Sequence, residues 1–223
     1  MTSRSGYFTS TIGRKQIMAL AGLGMCLFVL GHVLGNFLMF VGPDAYNMYG
    51  HALTSNPLIY VAEAGLVAIL LAHVAGAVVL TLRNKGARET AYAKAGTGDK
   101  KTSMTTKTMW CQGVVVLVFI VLHLITFKYG TVYNTVVDGE EIRDLFRLVV
   151  EVFQSPAYVA WYVGAVALLG FHLTHGFQSS LQTLGLNHPQ HTPKVKAISL
   201  VYGLLISLGF IAQPLYMFFI YEA

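Results

Sequence analysis

Eight histidines occur in the chain, and five of them, His32, His73, His123, His172 and His175, fall inside long apolar stretches. An imidazole at membrane depth is expensive. It either hydrogen-bonds across helices or serves a function, usually facing the interior of a bundle. Spacing favours function for four of them. His32 follows Lys15 by 17 residues and His123 follows Lys107 by 16. At 1.5 Å per residue, each lies about 25 Å along its helix from the basic side. His73 follows Pro57 by 16 residues and His172 follows Pro156 by 16, which carries them about 24 Å inward from the opposite side. Four helices thus contribute one histidine each, in two layers of two. A low-spin b-type heme takes two neutral imidazoles on opposite faces of its iron, most simply from facing helices. Two layers suit two stacked hemes that together carry electrons across a membrane. Copper or zinc is disfavoured, because no carboxylate or thiolate accompanies either pair.

The elements that must position these side chains are legible in composition. Of the 223 residues, 55% are hydrophobic and only 11% charged, against about a quarter charged in a soluble domain. Apolar stretches run over residues 17–41, 58–82, 109–127, 157–184 and 197–220. Each is long enough for a helix across a hydrocarbon core, which takes about 20 residues, and none shows the alternation of a membrane β-strand. The expected fold is therefore all-α, an integral membrane bundle of five transmembrane helices forming one heme-binding domain. The first stretch is too long for a cleavable signal peptide. Small residues surround the histidines: Gly24, Gly31 and Gly35 on the first helix, and Gly65, Ala68, Ala72 and Gly76 on the second. They leave room for a macrocycle, or they let helices approach closely; the sequence supports both readings. Cys26 and Cys111 form no CxxC pair and are most simply apolar packing residues.

Charge fixes an expected orientation. Of the 15 Lys and Arg residues, all but Lys128, Arg143 and Arg147 fall on the side of the N-terminus. That side is expected to be cytoplasmic and the C-terminus outside. The positive excess is a topology signal rather than a nucleic-acid patch. The Lys-, Gly- and Thr-rich segment 84–106 reads as a cytoplasmic loop, and 140–153 (EEIRDLFRLVVEVF) as an amphipathic helix at the outer interface.

These residues resemble a known family, the five-helix di-heme cytochrome b membrane anchors of succinate:quinone oxidoreductases (succinate dehydrogenases and fumarate reductases). Gly31-His32 is similar to that family's first ligand site. GPDAYN at 42–47, with His51, Pro57, Glu63 and His73, resembles its first outer loop and second helix. Ser155-Pro156-Ala157, Phe171-His172 and Gly176 resemble its fourth helix, and His123 matches the third-helix ligand by depth. The resemblance covers nearly the whole chain. It implies that His32 and His123 hold a distal heme and His73 and His172 a proximal one, with His175 as a hydrogen-bonding neighbour and competitor for the fourth position. One branch of the family carries a glutamate two residues before that ligand; here the position is Gly170. The resemblance also implies a flavoprotein subunit and an iron–sulfur subunit docked on the cytoplasmic face of an inner (cytoplasmic) membrane. Dicarboxylate chemistry would belong to those chains, leaving this one the non-catalytic electron-transfer subunit, with menaquinone or another quinone as partner in a respiratory chain.

A quinone site needs a group that exchanges protons. Glu63 is the one carboxylate inside an apolar span. It reads either as a proton acceptor near the distal heme or as an interfacial carboxylate at the start of its helix. His51, Tyr46 and Asn47 are further candidates nearby. Two other functions compete. One is the cytochrome b anchor of another membrane dehydrogenase, such as a hydrogenase or formate dehydrogenase. The other is a transporter using a His/Glu proton relay, which would call for broken helices and a midplane site; no proline interrupts the first three spans, and the histidine layers lie off the midplane.

Overall fold

The computed structural model describes residues 6, 10–86, 104–186 and 188–221. Among them the fold is an all-α membrane bundle of seven helices, five of them long and apolar enough to cross a membrane: Thr11–Phe40, Leu58–Arg83, Lys107–Lys128, Pro156–Thr183 and Thr192–Phe219. These are α1 (Thr11–Asn36, continued by a 3₁₀ turn, Phe37–Phe40), α3 (Leu58–Gly86), α4 (Met104–His123, continued by a π turn, Leu124–Lys128), α6 (Pro156–Thr183) and α7 (Thr192–Phe219). Two shorter helices, α2 (Pro43–Thr54) and α5 (Leu145–Phe153), and a hairpin of β1 (Asn134–Val137) and β2 (Glu140–Arg143) gather at one end. That end is termed the capped end; the other, bearing Lys15, Lys107, Lys194 and Lys196, the basic end. The expected loop at 84–106 is helical at both margins, and its middle, with Arg88, Lys94, Lys100 and Lys101, lies outside the described residues, as does Arg4.

Local signals explain the boundaries. Ser10 caps α1 by accepting from Gly13 N at 3.0 Å, and Asn56 Oδ1 accepts from Leu58 N at the start of α3. Prolines open α2, α6 and α7, where a missing N–H costs nothing. Gly185, at φ 103°, ends α6 in a left-handed cap with Leu186 N donating to Leu181 O. Pro214 lies within α7, yet the helix runs on to Phe219.

The most extensive packing joins α6 and α7. Its cause is a pair of small residues: a Cβ on Gly170 would lie 2.8 Å from Ser207, and one on Gly203 would lie 2.7 Å from the Gly170 carbonyl. A glutamate at position 170 would therefore strike α7, which accounts physically for the glycine found there. α1 packs on α3 and α6, and α4 packs on α6. The four helices form a square in the order α3, α1, α6, α4, with α7 against α6. Among the described residues the side between α3 and α4 is not extensively packed.

Two expectations at the capped end are corrected. Segment 140–153 is not one helix at the interface: residues 140–143 pair with β1 through the turn at Asp138 (φ 52°) and Gly139 (φ 82°). An Asp-Gly turn selects a tight hairpin, here joining Val137 to Glu140. The helix begins only at Leu145, with Asp144 accepting from Arg147 N. Its Phe146, Val149, Val150 and Phe153 are buried against Met39, Tyr46, Val159, Tyr162 and Met217, so it plugs the bundle rather than lying on lipid. The stretch from Gly42 is likewise no plain loop, since Pro43 starts the helix α2.

Candidate functional site

The square brings the histidines together across its diagonals. His32 on α1 faces His123, the last residue of α4, with ring centres 5.8 Å apart and planes at 87°. His73 on α3 faces His172 on α6, with ring centres 6.3 Å apart and planes at 69°. The His73 ring meets α1 at Met18 and Gly22. His32 lies further along the same helix, so the two pairs form layers separated by about 15 Å at 1.5 Å per residue. The His32–His123 layer is near the capped end and the His73–His172 layer near the basic end. All four rings are only half-buried.

Whether these residues suit a heme iron can be tested on their geometry. Two metal–imidazole bonds of about 2.0 Å would part the ring centres by about 6.3 Å. Both pairs lie close to that separation, which an edge-on ring contact also spans. The second ring nitrogens say more. An imidazole that ligates through Nε2 offers its Nδ1–H to an acceptor. His73 Nδ1 lies 3.3 Å from the Met18 carbonyl, which can only accept. His123 Nδ1 lies 3.3 Å from the Tyr162 hydroxyl, which can accept. His32 differs. Asn36 Nδ2 donates to the His32 carbonyl at 2.8 Å and lies 3.3 Å from His32 Nδ1. Ligation through Nε2 there requires the longer of these two contacts to be given up. Tyr46 holds the other end of that amide, its hydroxyl donating to Asn36 Oδ1 at 2.9 Å. Burial raises the Tyr46 hydroxyl well above its ordinary pKa, so it stays a donor.

The glycines divide between the two readings open to them. Gly24, Gly35 and Gly76 abut Ile69, Tyr49 and Met18 on other helices and serve packing. Around Gly31, Gly65 and Gly176 an added Cβ would meet nothing, and Gly22 and Gly113 lie beside the rings of His73 and His172. Of these, only Gly22 and Gly113 leave their space beside a histidine ring, both in the His73–His172 layer. Among the described residues no group of three or more His, Cys, Asp or Glu side chains could hold a bare metal ion. A heme, whose macrocycle would supply the other iron ligands, would ask only for the two histidines present in each layer.

The remaining candidates take separate places. Glu63 on α3 is ion-paired with Lys128 at the end of the π turn, both partly exposed. His51 on α2 pairs instead with Glu140 on β2 at 3.1 Å. Asn47 is buried, donating to Asp144 Oδ1 and accepting from Phe146 N. His175 is half-buried one turn beyond His172. Cys26 and Cys111 are free, the first buried and the second exposed. Lys128, Tyr162 and Asn36 are contributors that residue type alone does not single out, although Asn36 lies one helical turn from His32. No family model, curated protein or solved structure matches the chain.

Proposed function

We propose that this chain is a membrane-embedded di-heme cytochrome b, the non-catalytic electron-transfer subunit of a succinate dehydrogenase or fumarate reductase. The observation that carries this reading is the pair of diagonal contacts, His32–His123 and His73–His172, at two depths in one bundle. His32 and His123 would hold one heme, His73 and His172 the other. Bound heme supplies a one-electron carrier at each layer, and two layers join the two membrane faces. The protein's own part is positional. The Met18 carbonyl and Tyr162 hydroxyl orient His73 and His123, and Gly22 and Gly113 keep side chains out of the space beside the His73 and His172 rings.

The basic end is assigned to the cytoplasm by its Lys and Arg excess, in an inner membrane, and it would receive the iron–sulfur and flavoprotein subunits that do the dicarboxylate chemistry. Menaquinone or another quinone would meet the chain near the capped end, where Glu63 takes or returns protons. Against a transporter stand the lack of proline in the first three spans and the placing of the histidine pairs toward the two ends of the bundle. Pyridine hemochrome assay and a reduced-minus-oxidised spectrum of the purified chain test the reading. Two hemes b per chain are expected; one or none overturns it.

A further inference from the structure

Five buried side-chain atoms among the described residues lack a hydrogen-bond partner: Gln112 Oε1, Arg143 Nε, Trp161 Nε1, His172 Nδ1 and Gln213 Nε2. Such atoms are few in folded proteins, and each implies a partner of matching polarity. Arg143 Nε, Trp161 Nε1 and Gln213 Nε2 can only donate, whereas Gln112 Oε1 can only accept. His172 Nδ1 must donate whenever the other ring nitrogen is bound to a metal. The acceptor and this donor lie on helices that pack together. α4 packs on α6, and a Cβ on Gly113, the residue next to Gln112, would lie 3.7 Å from His172 Cε1. Gln112 is 6% exposed, and its Nε2 is already committed to Thr108 Oγ1 at 2.7 Å, which leaves Oε1 as the free end.

We infer that Gln112 is the positioning residue of His172, its Oε1 accepting the Nδ1–H directly after a side-chain rotation or through one bridging water. The inference rests on the di-heme reading above. It gives the fourth histidine the orienting contact that Met18 and Tyr162 give to His73 and His123. An acceptor on Nδ1–H makes the imidazole a more basic ligand, which favours ferric over ferrous iron. Its loss should therefore raise the potential of that heme alone.

The experiment uses the purified heme-loaded chain, with potentiometric titration and low-temperature electron paramagnetic resonance of both hemes. Gln112→Leu removes the acceptor at similar volume, and Gln112→Glu retains one. His172→Ala identifies which signal belongs to this layer. Gln112→Leu is expected to shift the His73–His172 heme toward reduction by about tenfold in equilibrium constant, about 59 mV for one electron. Gln112→Glu is expected to leave that potential at the wild-type value or lower it, and neither variant should move the His32–His123 heme. Two hemes with unchanged potentials and spectra in Gln112→Leu would overturn the inference and leave the di-heme reading standing. Equal shifts in both hemes would also overturn it, as the signature of a general loss of packing. A wild-type chain without heme would overturn both.

Discussion

Glu63 on α3 is ion-paired with Lys128, which ends the π turn following α4. These helices flank the one side of the square that is not extensively packed among the described residues, so the pair ties them at the capped end. π turns occur frequently at functional sites, and this one directly follows His123. Both groups are more than a third exposed, and an exposed pair contributes only about 0.2–1 kcal/mol. Breaking it will not unfold the bundle, so its removal can separate chemistry from packing. Glu63→Gln is expected to keep both hemes and dicarboxylate activity with soluble dyes while losing most quinone-coupled turnover. Lys128→Met, which breaks the same pair but leaves the carboxylate, is the control. Wild-type quinol rates in Glu63→Gln would make Glu63 a helix-end carboxylate tied to Lys128.

The choice between His172 and His175 follows from which ring reaches α3. It is His172 whose ring centre lies 6.3 Å from His73 and beside Gly113. Three residues on, His175 is turned by about 60° around the helix. Separate replacement by Ala is expected to remove one heme for His172 and none for His175, counted by hemochrome assay. Loss through His175 alone would reverse the assignment.

How much of this could be read from sequence depends on whether position along a helix decides the outcome. The five spans and the depths of the histidines are one-dimensional quantities, so counting from Lys15, Pro57, Lys107 and Pro156 suffices to sort the rings into layers. Diagonal pairing then follows from which helices lie opposite. The capped end depends on tertiary choice. Whether Phe146 and Val149 face lipid or protein cannot be told from an apolar stripe, because both environments accept it. The Asp138-Gly139 turn is an exception: its hairpin signal is present in sequence and outweighs the helical pattern expected from residue 140 onward. The Tyr162 and Lys128 placements needed the fold itself, since each joins residues on separate helical elements.

Orientation can be read by labelling. With Cys26 and Cys111 replaced, a cysteine at the exposed hairpin residue Asp138 is expected to react with an impermeant thiol reagent added outside intact cells. One at Lys194, at the start of α7, is expected to react only after lysis. The reverse pattern would place the basic end outside and remove the docking face assigned to the soluble subunits.

Asn47 offers the sharpest test of how the capped end is held. It is 2% exposed and bridges two elements: its Nδ2 donates to Asp144 Oδ1 at 2.8 Å, and its Oδ1 accepts from Phe146 N at 2.9 Å. Asp144 also caps α5 through Arg147 N. Asn47→Ala removes both bridging bonds and leaves a buried amide without its partner, at a cost of about 1–3 kcal/mol. The loss should concentrate at the capped end. Tyr46 precedes Asn47 on α2 and holds Asn36, which touches His32, whereas His73 and His172 make their contacts near the basic end. Thermal unfolding in detergent should therefore show a lowered midpoint. Alongside it, the signal of the His32–His123 heme should broaden or shift while that of the His73–His172 heme stays fixed. Asn47→Asp, which keeps the acceptor for Phe146 but sets a second carboxylate against Asp144, should also destabilise. An unchanged midpoint in Asn47→Ala would mean that apolar packing of Phe146, Val149 and Phe153 alone holds α5 on the bundle.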